Sequence, residues 1–206
     1  MLIVVAASDE QWNELTGLRP AVDWQRVTDA SSFYQYKNAD VFFSLKDDNS
    51  QVDFKTLQKP VFIHSVAETL VDLGMPLNVY RINGWESFLK RSVWEVAGVV
   101  GDDIKSIFNL LGIQLEVVRD EPGFVSARII AMIINEAYFA IEDDVSSKAD
   151  IDIAMKLGTN YPHGPFEWAK LIGACNILLL LQKLQDSDVR YQPSSLLVKE
   201  VAENNL

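Results

Sequence analysis

The feature that most constrains the fold is a series of short apolar runs rich in valine, isoleucine and phenylalanine. Five such runs occur early in the chain: Leu2–Ala6, Val22–Val27, Val41–Leu45, Pro60–His64 and Leu77–Ile82. Runs of this kind are typical of strands that are buried on both faces of a parallel sheet. The segments between them, at 10–16, 31–36, 54–57 and 67–73, are long enough for only about one to three helical turns. This part of the chain is therefore predicted to form a compact, shortened Rossmann-like sheet.

The α/β pattern continues to residue 119. Ser92–Ala97 and Ile113–Arg119 have the alternation expected of strands. Between them, Asp102 is expected to cap a helix that Gly112 ends. We therefore predict a degenerate Rossmann-like domain over residues 1–119.

The pattern changes at the sequence Asp120-Glu121-Pro122-Gly123, after which every segment is predicted to be helical. The segment Phe124–Ile141 is apolar on nearly all sides, so it must be buried on more than one side, in a bundle or in a subunit interface. A short helix headed by Ser147 is expected to end at Gly158, and a last helix to run from Phe166 to about Leu184. The predicted fold class is thus α/β followed by all-α, with a helical domain over residues 122–206.

Charge and cysteine content restrict the possible partners and compartment. The chain has 18 basic and 29 acidic residues, a net charge of −11, and such a surface repels nucleic acids and anionic membranes. The single cysteine, Cys175, is predicted to be a small core residue, and it favours a reducing, cytoplasmic location. The apolar start of the chain lacks a basic leader, and no apolar run is long enough to span a membrane, so we expect a soluble protein.

Several motifs occur in a fixed order in the second half of the chain. They are Pro122-Gly123-Phe124-Val125-Ser126-Ala127-Arg128, Asn135-Glu136-Ala137, Asp150-Ile151-Asp152, Met155-Lys156-Leu157-Gly158 and Tyr161-Pro162-His163-Gly164-Pro165-Phe166-Glu167. Together they resemble the carboxy-terminal domain of the 3-hydroxyacyl-CoA dehydrogenase family. Upstream, Ala39-Asp40-Val41 and residues 62–95 are similar to the second half of that family's nucleotide-binding domain. The resemblance implies a role in fatty-acid or acyl-CoA metabolism.

The same resemblance supplies candidate catalytic residues. Family members oxidise an L-3-hydroxyacyl-CoA with NAD, using a histidine base, a glutamate that orients it, and a serine and an asparagine that position the acyl group. Glu95 matches the glutamate and Ser65 the serine, whereas Asn83, twelve residues before Glu95, falls at the position of the histidine. Ala127 falls at the position of the family's asparagine. An amide neither accepts nor releases a proton near neutral pH, and base catalysis is typically worth about 10²–10⁴-fold.

Two interpretations of Glu95 remain at this stage. It is either a remnant of the catalytic pair or a strand residue whose carboxylate accepts a hydrogen bond from Asn83. We favour the second, because there is no imidazole left to orient.

The turn after the first strand argues against a bound dinucleotide. Such folds need glycines there, so that backbone amides approach the pyrophosphate at a helix N-terminus. This chain has Ala7-Ser8-Asp9-Glu10-Gln11 and no glycine before Gly17, and it would place the carboxylates of Asp9 and Glu10 against phosphate. The residues therefore predict no cofactor, and NAD is implied by the resemblance alone. Two histidines and one cysteine do not make a metal site.

The remaining candidates are given structural interpretations. His64 is expected to be a strand-end histidine that is hydrogen-bonded to a neighbouring loop, and His163 a loop contact. Three tryptophans are expected to pack in the core instead of stacking an adenine: Trp85, Trp94 and Trp168.

Three functions remain open from the sequence. In the first, the protein is a degenerate, non-catalytic family member that binds acyl-CoA or pairs with an active relative. In the second it is an oxidoreductase with altered site residues, and in the third it is a purely structural dimer partner. The segment Phe124–Ile141 is apolar on more faces than the rest of a small domain can bury. We therefore also expect a homodimer.

Overall fold

The computed structural model describes residues 1–17, 19, 22–46 and 52–204. The chain forms two compact units, Met1–Phe124 and Val125–Leu206. The predicted fold class is confirmed, because the first unit is a parallel-rich sheet with helices and the second is helical. Among the described residues, no helix is long and apolar enough to cross a membrane.

The first unit is built on a seven-stranded sheet of order β2-β1-β3-β4-β5-β6-β7. The strands are β1 (Leu2–Ala6), β2 (Asp23–Val27), β3 (Val41–Ser44), β4 (Val61–His64), β5 (Val79–Ile82), β6 (Val93–Ala97) and β7 (Gln114–Val117). All neighbouring pairs are parallel except β5 and β6, which are antiparallel. The sheet is therefore parallel except at this pair. The ten residues 83–92 contain no helix or strand, and a parallel return needs a longer crossover.

The short connections of this unit differ from the helices expected. The helices are α1 (Asp9–Thr16) and α2 (Asp102–Leu110), and the segments Ala30–Gln35 and Phe54–Leu57 are 3₁₀ helices. Gly101, and not Asp102, is the N-cap of α2. Both faces of the sheet are covered, since alternate strand residues such as Val4 and Val5 enter separate apolar clusters.

The helix predicted over residues 67–73 is absent, and turns replace it. The amide of Thr69 donates to the carboxylate of Asp72, and the amide of Asp72 donates to the hydroxyl of Thr69, both at 3.0 Å. The amide of Leu70 donates to Asp120 at 2.8 Å. These side-chain acceptors take the amides that a helix would use.

The second unit contains five α-helices and one 3₁₀ helix, Val189–Tyr191, in its described residues. The α-helices are α3 (Ser126–Glu142), α4 (Lys148–Thr159), α5 (Pro165–Ile172), α6 (Ala174–Gln185) and α7 (Ser195–Asn204). The single helix expected from Phe166 to Leu184 is divided at Gly173, whose φ of +91° lies outside the helical region. Helix α4 ends at Thr159 and not at Gly158, because Asn160 adopts the left-handed conformation.

The motif around Gly164 holds α4 against α5. Asp152 accepts a 2.8 Å hydrogen bond from the amide of Phe166, and Glu167 accepts one of 3.0 Å from the amide of Gly164. Lys156 forms an ion pair with Glu167. A Cβ atom at Gly164 would lie 2.5 Å from the Cα of Asp152, so only glycine fits there. These motif residues therefore support the helical fold.

Candidate active site at the carboxyl edge of the sheet

Two of the predicted site residues follow neighbouring parallel strands. Ser65 comes directly after β4, and Asn83 directly after β5. The amide of Ser65 donates to the carbonyl oxygen of Ile82 at 3.4 Å, so the two strand ends lie side by side. In open α/β sheets this carboxyl edge is where ligands bind.

The third residue, Glu95, reaches the same place through the antiparallel strand. Arg81 pairs with Ala97 and Ile82 with Val96, so the next positions along the two chains are Asn83 and Glu95. Opposed residues of an antiparallel pair project from the same face. The strand register therefore places the positions of Asn83 and Glu95 next to each other, with Ser65 beside the end of β5.

The hydrogen bond expected between Asn83 and Glu95 is not formed. Asn83 is buried, and its Oδ1 accepts a 3.0 Å hydrogen bond from the amide of Trp85. Its Nδ2 has no hydrogen-bond partner among the described residues. The side chain thus binds the backbone two residues further on, as asparagine does in an Asx turn, and makes no hydrogen bond to the carboxylate of Glu95.

His64 is bound to the same turn. Its Nδ1 accepts a 2.9 Å hydrogen bond from the amide of Gly84, which confirms the expectation of a strand-end histidine bound to a loop. In the neutral ring the proton is then on Nε2. A Cβ atom at residue 84 would lie 3.0 Å from the Cβ of His64, a close approach that explains the glycine.

A buried arginine that sequence reasoning missed lies beside Ser65. The Nη1 of Arg81 donates to the carbonyl oxygens of Ser65, Val66 and Glu68 at 3.2, 3.2 and 3.0 Å. Its Nε donates to Asp120 at 2.9 Å, and its Nη2 to the carbonyl oxygen of Glu121. The side chain is fully buried, and this burial lowers its pKa, although Asp120 opposes the shift. The sequence signal that could have identified Arg81 is its position as a charged residue inside an apolar strand.

The N-terminus of α1 is capped by the chain's own side chains. The hydroxyl of Ser8 accepts from the amide of Gln11, and Oε1 of Gln11 accepts from the amide of Ser8, both at 3.1 Å. The Nε2 of Gln11 then donates to the carbonyl oxygens of Leu45 and Gly84 at 2.8 and 3.1 Å. One side chain therefore links the ends of β1, β3 and β5.

The charged groups around this turn are also engaged. Asp9 and Glu10 lie in the first turn of α1, and Asp9 pairs with Arg26 at 2.7 Å. Arg26 also donates to the carbonyl oxygen of Ala7, and Lys46 donates to that of Thr28. Among the described residues, no group of three or more metal-ligating side chains occurs.

The other candidates lie in packed or exposed positions. Trp85, Trp94 and Trp168 are each about 95% buried and pack against other rings, as expected. His163 contacts the ring of Trp168, and Ala127 is buried in α3. The expectation of a buried Cys175 was wrong. The buried leucines of α6 occupy its opposite face, and Cys175 is exposed.

Comparison with known proteins identifies the helical part of the chain. Residues 123–206 match the family model of the 3-hydroxyacyl-CoA dehydrogenase C-terminal domain. The chain belongs to the 3-hydroxyacyl-CoA dehydrogenase family. An Escherichia coli 3-hydroxyadipyl-CoA dehydrogenase is 49% identical over 82 residues, which are 39% of this chain and 17% of that protein. A 3-hydroxybutyryl-CoA dehydrogenase from Bradyrhizobium diazoefficiens is 38% identical over 113 residues, which are 52% of this chain and 39% of that protein.

The fold of the family extends over nearly the whole chain. The crystal structure of (S)-3-hydroxybutyryl-CoA dehydrogenase from Ralstonia eutropha superposes with a TM-score of 0.74 at 20% identity, covering 98% of this chain and 93% of that one. This likeness shows a shared Rossmann fold. The chain spans well under half the length of the two curated relatives above.

Proposed function

We propose that this 3-hydroxyacyl-CoA dehydrogenase family member does not bind NAD or NADH and binds acyl-CoA without oxidising it. The observation that carries the proposal is the closed N-terminus of α1, where Ser8 and Gln11 cap each other and Gln11 binds two further carbonyl oxygens.

The turn after β1 does not fit the pyrophosphate of a dinucleotide. Phosphate binding at a helix N-terminus depends on exposed amides and the positive end of the helix dipole. Here the amide of Gln11 is already bonded to Ser8, and the carboxylates of Asp9 and Glu10 offset the dipole. Opening the turn for a ligand breaks the hydrogen bonds that Gln11 makes to Leu45 and Gly84.

The carboxyl edge also lacks the base that the family resemblance implies. Asn83 opposes Glu95 along the two strands, yet its amide does not titrate near neutral pH. His64 has its Nδ1 committed to the amide of Gly84. What the edge does offer is one donor, the buried Nδ2 of Asn83, which suits a carbonyl oxygen such as that of a thioester.

Titration with NADH tests the first half of the proposal. We expect no saturation below about 1 mM, the range of very weak binding, while an active family member serves as positive control. Micromolar affinity for NAD or NADH would overturn it.

Titration with acetoacetyl-CoA, with coenzyme A alone as the comparison, tests the second half. We expect saturable binding of the thioester that Asn83→Ala weakens about tenfold, as for the loss of one hydrogen bond. The matched control is Asn109→Ala on the exposed side of α2, which should leave binding unchanged. Absence of acyl-CoA binding would favour a purely structural partner.

The alternative is an oxidoreductase with altered site residues. The observation that favours it is the retained opposition of Asn83 and Glu95 beside His64. Reduction of acetoacetyl-CoA by NADH at roughly 1–10³ per second would establish this alternative and exclude the proposal.

A further inference from the structure

The turn after β5 contains Asn83-Gly84, the only asparagine–glycine pair in the sequence. An asparagine can lose its side-chain amide when the backbone nitrogen of the next residue attacks the side-chain carbonyl carbon and closes a succinimide ring. Glycine favours this attack, because it has no side chain to hinder the approach. The reaction needs a base for the attacking nitrogen, a donor for the carbonyl oxygen and a nitrogen that is free to leave.

The attacking nitrogen is already hydrogen-bonded to a base. The amide of Gly84 donates to Nδ1 of His64 at 2.9 Å. This distance is within the reach of a general base, so the amide proton can pass directly to the imidazole. A Cβ atom at residue 84 would lie 3.0 Å from the Cβ of His64, so the glycine that permits the attack also permits this close contact.

The side chain of Asn83 is held in a matching arrangement. Its Oδ1, where negative charge develops during the attack, accepts a 3.0 Å hydrogen bond from the amide of Trp85. A donor fixed at this oxygen stabilises the tetrahedral intermediate as in an oxyanion hole. Nδ2 has no hydrogen-bond partner among the described residues, so no bond to them has to break when it leaves. Because Asn83 is only 7% exposed, the reacting groups are held close together.

We propose that this fold promotes the conversion of Asn83 to aspartate and isoaspartate, with His64 as the general base. His64 takes the proton from the amide of Gly84, and this nitrogen forms a bond to the side-chain carbonyl carbon of Asn83. The bond from that carbon to Nδ2 then breaks, and Nδ2 takes the proton back from His64 and departs as ammonia. Water opens the succinimide at either of its two carbonyl carbons, which gives aspartate or isoaspartate.

The conversion replaces a hydrogen-bond donor by an acceptor at the carboxyl edge of the sheet. An oxygen of a carboxylate takes the place of Nδ2, next to the position of Glu95 in the strand register. Binding of acetoacetyl-CoA should therefore be weaker in the converted protein. This consequence rests on the proposed function, whereas the reaction itself does not.

Mass spectrometry of the tryptic peptide Ile82–Lys90 measures the conversion, because this peptide contains Asn83 and no other asparagine. A synthetic peptide of the same sequence, incubated in the same neutral buffer, gives the rate without the fold. We expect Asn83 to convert about tenfold faster or more in the folded protein, with isoaspartate among the products. A rate equal to or below that of the peptide, or aspartate as the sole product, would overturn the proposal.

His64→Asn tests the base. The side-chain oxygen of asparagine accepts the hydrogen bond from Gly84 but does not take its proton. We expect conversion of Asn83 to slow about 100-fold in this variant, with circular dichroism as the check of its fold. The control His163→Gln removes the other histidine of the chain and should leave the rate unchanged. An unchanged rate in folded His64→Asn would exclude His64 as the base.

Hydroxylamine tests the succinimide in the native protein and needs no variant. It attacks the ring and cleaves the chain between residues 83 and 84. Under native conditions we expect two fragments, residues 1–83 and 84–206, and a chain that stays intact would contradict the proposed intermediate. None of these measurements depends on whether NAD or acyl-CoA binds, so failure of the proposed function and failure of this proposal are distinguishable.

Discussion

The side-chain Nε2 of Gln11 donates a hydrogen bond of 3.1 Å to the carbonyl oxygen of Gly84, 73 residues further along the chain. The same nitrogen donates to Leu45 at 2.8 Å, while Oε1 of Gln11 caps the amide of Ser8. One side chain therefore closes the helix terminus where a dinucleotide fold normally presents its amides. In this chain the turn after the first strand contributes to stability.

We expect Gln11→Ala to lower the free energy of unfolding by about 2 kcal/mol. The substitution removes three hydrogen bonds and leaves two partly buried carbonyl oxygens without this donor. Urea unfolding measures the change. The matched control is Gln114→Ala, which removes a side-chain amide that donates to the exposed Glu116. Its effect on the free energy of unfolding should stay within about 0.5 kcal/mol. An effect as small as the control's would mean that the closure contributes nothing.

Asn83→His should not create NADH-dependent reduction of acetoacetyl-CoA. The substitution restores an imidazole opposite Glu95, but it leaves Ser8 and Gln11 across the turn after β1. The missing base and the closed turn after β1 are independent defects, and this substitution repairs only the first. Loss of nicotinamide absorbance measures the rate, and a rate of about 1 per second or more from Asn83→His alone would show that the cofactor site is open.

The buried ion pair of Arg81 and Asp120 gives a prediction for stability. Arg81 is fully buried, and Asp120 binds its Nε and the amide of Leu70. Because Asp120→Ala leaves a buried charge without its counterion, it should cost about 3 kcal/mol in urea unfolding. The exposed pair of Asp102 and Lys105 is the control, and Asp102→Ala should cost less than about 1 kcal/mol. Equal costs would contradict this account of Arg81.

The strands of this fold were predictable because uninterrupted apolar runs leave few alternatives to a buried sheet. The turns at 67–73 were not, because their conformation depends on a carboxylate of Asp120, fifty residues away. The positions of Ser65, Asn83 and Glu95 were predicted through the family resemblance. Their hydrogen bonds were not, since the sequence does not reveal that Asn83 closes its own turn. Arg81 and Gln11 act through contacts between distant segments, which no local pattern reveals.

The carboxylate of Glu142 should make the stability of the fold depend on pH. Its Oε1 accepts from the hydroxyl of Ser195, at 2.7 Å, and from the amide of Leu196, and these bonds lower its pKa from the ordinary value of 4.5. A lowered pKa stabilises the fold above pH 4.5, and the contribution is lost as the pH falls through the folded-state value.

Glu142→Gln, which resembles the protonated side chain, should therefore cost about 0.5–1 kcal/mol at neutral pH, as for a weakened helix cap. The cost should disappear at a pH below the folded-state pKa of Glu142. Thermal unfolding at the two pH values measures both quantities. Glu203→Gln, which changes an exposed carboxylate on α7, is the control. A cost that persists unchanged in acid would contradict the assigned role of the charge.

A charge introduced in the middle of α3 should prevent the homodimerisation that the sequence predicts. Ile133 lines an apolar groove of the helical unit, so in a two-fold homodimer built on α3 Ile133→Asp places a desolvated carboxylate in both copies. Light scattering should give about twice the chain mass for the native protein and the mass of one chain for this variant at micromolar concentration. Leu179→Asp, at a 52% exposed position on α6, should remain a dimer. A monodisperse native monomer would contradict the predicted homodimer, because a large apolar interface is normally stable at such concentrations.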